Sequence, residues 1–492
     1  MLAAVSASAV ASLVFAPPQL VGPSMGPAYF IGVDGAAGSG ERLVFGENGG
    51  EMRSLSNRTG AALAWRASGR LGLAETFPSQ CDSPCASVET FGAFVPVLSG
   101  SAQAVAFNAS GGRCFSVADN GAGASVREAP AAAALRTFRG LPRPVISGKF
   151  SSGGFRLGGS ASTRLSSSGA LLATAIVTFA GQEHLKYPQA TSVVLFRSTD
   201  GAGARWDYVS TVADACDFPW SQEGPNEMDM VVLPGAEAGV LAGAEAGADA
   251  GPDAEPEAVL VVVRMDGGDG PVSHPYANYY RALSVDGGAT WAPPTPIANA
   301  GCARPRLLRL GRRGALLSGG RMRNANTSDV LLWHNGDARD PASPWVPHSL
   351  SDRHNAGTGP PPRFAVNASL RFDAHVNSTT FGPRQTNAYT SLARLNESAF
   401  VVTYDMHLVG RPAGLRCTGW PTAQHDKAGC EQGGDALRDG YRYWFNAGRG
   451  TPGAVCGEGA GCDCCRNTTL PPVPAFEGSF SMVGRLRGSL PC

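Results

Sequence analysis

The stretch Ser284-Val-Asp286-Gly-Gly288-Ala-Thr290-Trp291 directly follows a strand-like run, Tyr279–Leu283, and decides the fold. In a hairpin turn, Ser and Asp side chains hydrogen-bond to backbone groups of the turn, and glycine takes the positive φ that the turn requires. The Trp at the end of the stretch packs beneath the turn. We therefore interpret this stretch as a structural hairpin and not as an active site.

The same pattern recurs along the chain. A second good copy runs from Ser198 through Asp200 and Gly201 to Trp206 and carries one extra residue. Three weaker copies are Ser56–Gly60 before Trp65, Ser116–Gly121, and Trp333–Asp337 before Trp345. A turn motif that returns at intervals of this kind predicts an array of similar sheets.

Composition supports a β-rich chain and excludes some partners. The 492 residues include 64 Gly and 36 Pro, and only 16% are charged, which favours short strands joined by tight turns. Lys plus Arg equals Asp plus Glu at 40 each, so nothing in the charge points to nucleic acid. No apolar run reaches the length of a membrane span, and we expect none.

Several features predict passage through the secretory pathway. Residues 1–20 contain a small, apolar segment that fits a signal peptide. The chain has twelve Cys, seven of them after residue 410, and disulfides explain them better than a zinc site. Seven glycosylation sequons point the same way, at Asn57, Asn108, Asn326, Asn367, Asn377, Asn396 and Asn467. We expect a secreted glycoprotein.

The repeated turns resemble the Asp-box repeats of sialidases, whose fold is a six-bladed β-propeller. That resemblance implies an all-β, six-bladed propeller over residues 27–450, with blades at about 27–80, 88–140, 143–215, 224–296, 303–350 and 384–450. The low-complexity acidic stretch 235–258 interrupts a strand pair and is interpreted as a loop insertion. Residues 410–492 are expected to form a Cys-rich segment packed on the propeller.

Two segments resemble the strands that carry the sialidase active site. Glu223–Pro234 with Val261–Arg264 is similar to the family's Glu-bearing and Arg-bearing strands, and Asn387–Leu395 is similar to its Tyr-bearing strand. The resemblance implies Tyr389 as nucleophile and Glu227 as its base. It also implies that Arg264 and Arg321 grip the substrate carboxylate, with Arg323 as an alternative to Arg321.

The chemistry explains why these residue types belong together. Sialic acid carries a carboxylate on its anomeric carbon, which repels an anionic Asp or Glu nucleophile. A neutral phenol deprotonated by a neighbouring carboxylate is a better attacker. The planar fork of Arg suits the substrate carboxylate.

The first predicted blade departs from the family. It lacks the aromatic-Arg-Ile-Pro motif that supplies the first Arg, and no Asp acid/base follows it. The nearest substitutes are Arg156 and Glu183, and Asp34 is a further candidate for the acid. We interpret His184, next to Glu183, as an ordinary surface or core residue.

The leading functional hypothesis is an exo-α-sialidase that releases terminal sialic acid, or a related acidic sugar, with retention. A lectin-like propeller that binds acidic glycans without cleaving them is the alternative. A third hypothesis is a hydrolase for another sugar that uses Glu183 and Glu227 as a carboxylate pair. The partner in each case is a glycan, and none of these hypotheses implies a metal or cofactor.

Overall fold

The structure is a computed structural model dominated by β-strands. It describes residues 13–23, 28–30, 32–33, 42–46, 51–56, 64–70, 85–87, 96–98, 104–107, 114–119, 124–129, 136–145, 155–156, 162–165, 167–182, 191–199, 205–221, 224–235, 256–265, 277–301, 303–311, 313–324, 327–372, 386, 388–396, 398–408, 415–417, 465–467 and 476–487.

Strands before residue 145 are short. In chain order they are β1 (Leu13–Phe15), β2 (Gln19–Pro23), β3 (Ala28–Phe30), β4 (Gly32–Val33), β5 (Arg42–Gly46), β6 (Glu51–Ser56), β7 (Ala64–Arg70), β8 (Cys85–Ser87), β9 (Pro96–Leu98), β10 (Ala104–Phe107), β11 (Cys114–Asp119), β12 (Ala124–Ala129) and β13 (Arg136–Arg139).

The next thirteen strands are mostly longer and fill the middle of the chain. They are β14 (Phe155–Arg156), β15 (Ser162–Arg164), β16 (Leu171–Val177), β17 (Ser192–Ser198), β18 (Arg205–Ala213), β19 (Pro225–Leu233), β20 (Ala258–Met265), β21 (Asn278–Ser284), β22 (Thr295–Gly301), β23 (Arg306–Leu310), β24 (Gly314–Asn324), β25 (Thr327–Asn335) and β26 (Val346–Ser349).

A short helix precedes the last strands. Helix α1 covers Leu350–Ala356, and single 3-10 turns lie at Ala215–Asp217 and Ala368–Leu370. The remaining strands are β27 (Thr390–Asn396), β28 (Ala399–Leu408), β29 (Leu415–Cys417), β30 (Cys465–Asn467) and β31 (Phe476–Leu486). No helix in the described ranges combines the length and apolar character needed to cross a bilayer.

Three sheets are antiparallel meanders of four strands each. Their orders are β19-β20-β21-β22, β23-β24-β25-β26 and β3-β5-β6-β7. Four-stranded meanders of this kind are typical of propeller blades. The all-β fold is as predicted, whereas the number of six blades stays a prediction.

Successive sheets pack face to face, with an apolar core on each side. Along β20, Val259, Val261 and Val263 point into the core shared with the β16–β18 sheet. The alternate residues Leu260 and Val262 point into the core shared with the β23–β26 sheet. Because side chains alternate between faces, a strand buried on both sides has to be apolar throughout. This explains the run of six apolar residues at the start of β20.

First strands of successive sheets are neighbours. β19 contacts β23, β23 contacts β27, and β27 contacts β3. Polar side chains link these sheets: Asp229 of β19 accepts from the Leu307 N–H (2.6 Å), and the Ser318 and Thr390 hydroxyls are 2.7 Å apart. The starts of the first strands are therefore held next to one another.

The last sheet combines both ends of the described chain. β31 pairs with β28 on one side and with β1 and β2 on the other. We predicted a Cys-rich segment over 410–492, but Phe476–Leu486 is instead an inner strand whose Phe480 and Met482 are buried. β1 and part of β2 likewise come from the stretch 1–20 that was predicted as a signal peptide.

Strand β13 pairs in parallel with β18 and so joins β9, β10 and β13 to the β14–β18 sheet. β8, β11 and β12 form another sheet with β4. The predicted second blade, 88–140, is therefore divided between two sheets among the described strands. Most of the predicted insertion 235–258 lies outside the described residues, and its flanks Leu233 and Ala258 pair with each other.

The turn between β21 and β22 has the hydrogen bonds that its sequence predicts. The Ser284 hydroxyl accepts from the Gly288 N–H (2.8 Å), and both the Thr290 N–H and its hydroxyl donate to the Asp286 carboxylate (2.9 and 2.6 Å). Burial acts to raise the pKa of Asp286, but hydrogen bonds from Thr290 and Ser284 outweigh it and lower the pKa to about 2. Gly287 and Gly288 have φ of +71° and +91°.

Trp291 packs under the turn and donates from its indole Nε1 to the Ser210 hydroxyl on the neighbouring sheet (2.8 Å). Each of the other four copies begins in a strand that pairs antiparallel with the next strand in the chain: β6 with β7, β11 with β12, β17 with β18, and β25 with β26.

His354 of α1 is fully buried between two hydrogen bonds. Its Nδ1 lies 2.9 Å from the Tyr404 hydroxyl, and its Nε2 lies 2.6 Å from the Leu370 carbonyl oxygen. A carbonyl only accepts, so Nε2 carries the hydrogen, and Nδ1 of the neutral ring accepts from Tyr404. Burial lowers the pKa of His354 to about 4.

We predict that Leu13→Ala lowers the free energy of unfolding by about 3 kcal/mol, because it leaves a cavity in an apolar core. Leu13 is 6% exposed in the core that β1 shares with β31. The neighbouring Val14 is 52% exposed, so Val14→Ala is the control and should change stability little. Urea unfolding measures both. Equal effects of the two substitutions would contradict the burial of Leu13 in this core.

Acid should destabilise the protein through His354. The folded pKa of about 4 lies below the unfolded value of about 6.5, so its stabilisation is complete above pH 6.5 and is lost as the pH falls towards 4. The loss from this group is about 3 kcal/mol at pH 4. His354→Gln keeps a donor and an acceptor but does not titrate. Urea unfolding from pH 7 to pH 4 should therefore show a weaker pH dependence in the variant, and an unchanged dependence would refute this assignment.

Candidate functional site

Three polar side chains from two sheets meet at one edge of the fold. Glu227 lies near the start of β19, Arg264 lies near the end of β20, and Tyr389 directly precedes β27. β19 and β20 are antiparallel, so the start of one strand and the end of the other are at the same edge. Tyr389 reaches this edge because the first strands of successive sheets are neighbours.

The Glu227 carboxylate is the centre of the group. Its Oε2 accepts from Arg264 Nη1 at 2.5 Å, and the Tyr389 hydroxyl lies 3.1 Å from Oε1 and 3.4 Å from Oε2. The side chains of Arg264 and Glu227 are only 12% and 11% exposed. In such a dry environment the ion pair and its hydrogen bonds hold the carboxylate in one orientation.

A bulge in β19 aims Glu227 at the site. Pro225 pairs with Met265 and Met228 pairs with Val263, so Asn226 and Glu227 together face the single residue Arg264. A bulge of this kind turns side chains away from the regular alternation of the strand. The Asn226 side-chain carbonyl accepts from the Glu227 N–H at 2.7 Å and so fixes the bulged backbone.

The backbone is closely packed where the chain enters β19. Gly224 has φ of +72°, and a Cβ at this position would lie 2.4 Å from the Thr191 carbonyl oxygen. The Thr191 hydroxyl donates to the Pro225 carbonyl at 2.7 Å. Glycine is therefore required immediately before the segment that carries Glu227.

An uncommon backbone conformation sets the direction of Tyr389. The preceding Ala388 has φ of +58°, which costs a residue with a side chain about 1 kcal/mol. The Thr386 hydroxyl accepts from the Ala388 N–H (2.9 Å) and donates to the buried Asp405 carboxylate (2.7 Å). These contacts compensate the strain and hold the segment that leads into Tyr389.

The start of the intervening sheet contributes a residue that sequence reasoning missed. Ala303 packs against Ala388 and Tyr389, and the next residue, Arg304, is only 5% exposed. Arg304 precedes β23 much as Glu227 begins β19 and Tyr389 precedes β27. The stretch Cys302–Arg306 matches no motif. Arg304 could have been predicted only from its position just before the first strand of a sheet.

The other predicted site residues are described in part or not at all. Arg321 and the alternative Arg323 lie on β24, near the end of the second strand of their sheet, as Arg264 does in its own sheet. Arg156 lies on β14. The structure describes only the backbone of these three arginines. It does not describe Glu183, His184 or Asp34. The structure thus brings together Tyr389, Glu227 and Arg264.

This arrangement pairs a hydroxyl with a carboxylate that is ready to accept its proton. The Tyr389 hydroxyl donates to Glu227, and the guanidinium of Arg264 compensates the negative charge of the carboxylate. Nucleophile activation by an adjacent base needs hydrogen-bond reach between the two groups, which is present here. Within the described part of the chain, no group of three or more His, Cys, Asp or Glu side chains is arranged to hold a metal ion.

No family model matches the sequence, and no curated protein matches it. Similar solved structures include a protein of unknown function from Dyadobacter fermentans, at 12% identity and a TM-score of 0.43, covering 96% of this chain and 99% of that one. The NanB sialidase from Streptococcus pneumoniae has 9% identity and a TM-score of 0.35, covering 79% of this chain and 67% of that one. An alpha-L-arabinofuranosidase from Lactobacillus brevis has 9% identity and a TM-score of 0.31, covering 79% and 84%. At this level of similarity none of them assigns an activity to this chain.

Removing Arg264 should destabilise the protein because it leaves a buried carboxylate without its cation. We predict that Arg264→Met lowers the free energy of unfolding by about 3 kcal/mol, and that adding Glu227→Gln recovers part of the loss. The exposed pair Arg139–Asp207, with side chains 45% and 56% exposed, is the control. Arg139→Met should have little effect on stability, because solvent screens the exposed pair. Urea unfolding of the four variants tests the coupling, and strictly additive effects of Arg264→Met and Glu227→Gln would contradict it.

Proposed function

We propose that the protein is a retaining glycoside hydrolase of the exo-α-sialidase type, which releases a terminal sialic acid or a related acidic sugar. The observation that supports this proposal is the hydrogen bond from Tyr389 to a Glu227 carboxylate that is itself paired with Arg264. A phenol activated in this way suits an anomeric carbon that carries a carboxylate, because a neutral nucleophile avoids charge repulsion.

In the proposed reaction the Tyr389 oxygen attacks the anomeric carbon, and the bond to the leaving oxygen breaks. A phenol is a much weaker acid than a carboxylic acid, so its proton moves to Glu227 as the new bond forms rather than beforehand. The product is a glycosyl-tyrosine. Water then attacks the same carbon, the tyrosine oxygen leaves and regains its proton from Glu227, and the sugar is released with retained configuration.

The leaving oxygen needs a proton in the first step, and water must lose one in the second. We assign this acid/base role to Glu183, with Asp34 as the alternative. A general acid contributes about 10²- to 10⁴-fold to the rate, so the identity of this residue determines whether turnover is efficient.

Arginine side chains bind the substrate carboxylate in the proposed complex. Arg264 has five N–H donors on a planar fork, so it is able to hold Glu227 and still donate to a substrate. Arg321 and Arg156 are the predicted partners in this role. Arg304 is an additional candidate because it is buried next to the Ala303 that contacts Tyr389.

A lectin-like propeller that binds acidic glycans without cleaving them is the second candidate. The observation that favours it is the absence of an aromatic-Arg-Ile-Pro motif from residues 27–80. Such a protein would keep the arginines that bind the carboxylate and lack an effective general acid.

We further propose that the protein is a secreted glycoprotein. Two of the seven sequon residues are described on the surface: Asn367 and Asn396 are both exposed. An exposed side-chain amide is what a glycosylation acceptor requires.

Tyr389→Phe removes only the hydroxyl and should lower kcat for an α-sialoside by at least about 10³-fold, because the nucleophile is lost. Tyr208→Phe is the matched control: it removes a partly buried hydroxyl that bonds to Thr211 (2.9 Å) elsewhere in the fold. Release of sialic acid by the purified protein is measured for all three.

Unchanged turnover by Tyr389→Phe would contradict the proposed mechanism. Absence of turnover by the wild type, together with retained binding of the sialoside, would select the lectin-like alternative.

A further inference from the structure

An aromatic side chain is exposed in the segment that leads into the strand of Glu227. Trp220 is 48% exposed and lies in the segment that connects β18 to β19, seven residues before Glu227. The other large hydrophobic side chains that are exposed in the described ranges are aliphatic: Val14, Leu20 and Val285. A large exposed ring next to a polar site is a feature of ligand-binding surfaces.

Two further rings hold Trp220 in place. Its ring centroid lies 5.8 Å from that of Tyr280 and 6.1 Å from that of Phe218, and Phe218 and Tyr280 are 5.3 Å apart. Phe218 is 6% exposed and belongs to the core between the β16–β18 and β19–β22 sheets. The cluster thus presents Trp220 and part of Tyr280 on a support anchored in the core.

Strand register places this cluster at the same edge as the candidate site. Tyr280 lies near the start of β21 and pairs with Val263, the residue before Arg264. Neighbouring strands are about 4.8 Å apart, so β21 lies about 10 Å from β19 and Glu227. That distance matches the reach of a disaccharide and is too long for contact with the reacting sugar itself.

We propose that Trp220 and Tyr280 form a binding platform for the sugar unit next to the one held by Tyr389, Glu227 and Arg264. The C–H face of a sugar ring is apolar and packs on an aromatic ring, while the indole N–H and the phenol O–H bond to sugar hydroxyls. The platform selects oligosaccharides over single sugars. This inference rests on the proposed function, since it needs a terminal sugar at the site.

Two sialosides that differ only in the aglycone test the platform. Sialyllactose carries a second ring, whereas methyl α-sialoside does not. Trp220→Ala should raise KM for sialyllactose about 10-fold with little change in kcat, because the lost stacking contributes to substrate binding. KM for methyl α-sialoside should stay within about twofold of the wild type.

Two further variants are controls for folding and for the ring itself. Val285→Ala alters another exposed apolar residue, 52% exposed, in the turn at the opposite end of the same sheet, and should affect neither substrate. Trp220→Phe keeps an aromatic ring and should recover part of the lost affinity. A change in KM that Trp220→Ala causes equally for both substrates, or for neither, overturns the platform while leaving the proposed function intact.

Failure of the proposed function gives a different result. In that case the wild type neither cleaves nor binds either sialoside. An array of acidic and neutral oligosaccharides, probed with the wild type and Trp220→Ala, then tests whether the platform binds a sugar. Binding that the variant loses supports the platform with another sugar at the site, whereas unchanged binding or no binding to any glycan overturns it.

Discussion

Burial of both faces of the central sheets determines where polar chemistry can occur in this protein. The run Ala258–Val263 has no polar side chain because each residue enters one of two cores. A charge within that run would be cut off from water and from partners. The first charged residue, Arg264, comes directly after it, where the strand reaches the edge and Glu227 is within reach. The site therefore forms at the strand ends, since the interior of the sheets excludes it.

The same packing explains how residues far apart in the chain meet with defined geometry. Glu227 and Tyr389 belong to sheets separated by the β23–β26 sheet. The small residues Ala303 and Ala388 let these three sheets approach one another. Two hydrogen bonds link these sheets: Asp229 accepts from the Leu307 N–H of β23, and the hydroxyls of Ser318 and Thr390 bond to each other. Geometry at the Tyr389 hydroxyl thus depends on the rigid stacking of three sheets and on two local devices, the β19 bulge and the left-handed Ala388. Sites supported in this way are well ordered before a ligand binds.

Local patterns predicted the strands and turns in the central part of the fold. The turn at Ser284–Trp291 and the apolar runs before it carry their own signals, because hairpin chemistry and alternation act over a few residues. Glu227, Arg264 and Tyr389 were predicted from the resemblance of their segments to the strands of the sialidase active site, and the structure places the three side chains in contact. β31 was missed because its alternation is diluted by Gly and Ser, and its partner β1 comes from the other end of the chain. Arg304 and Trp220 precede first strands in segments without periodicity, so only the structure draws attention to them, Arg304 by its burial and Trp220 by its exposed ring next to Tyr280.

The pairing of β1 with β31 has a consequence for how the chain folds during synthesis. β1 emerges from the ribosome long before its partner strand β31, because Leu13 pairs with Leu486. Two of the intervening sheets, β19–β22 and β23–β26, are meanders of consecutive strands and can form as they emerge. The last sheet has to wait for a contact of very high sequence separation, which is slow to form. Leu13 and Phe15 therefore have no partner strand until β31 has been synthesised, which leaves this sheet open to chaperones and to mispairing during that time.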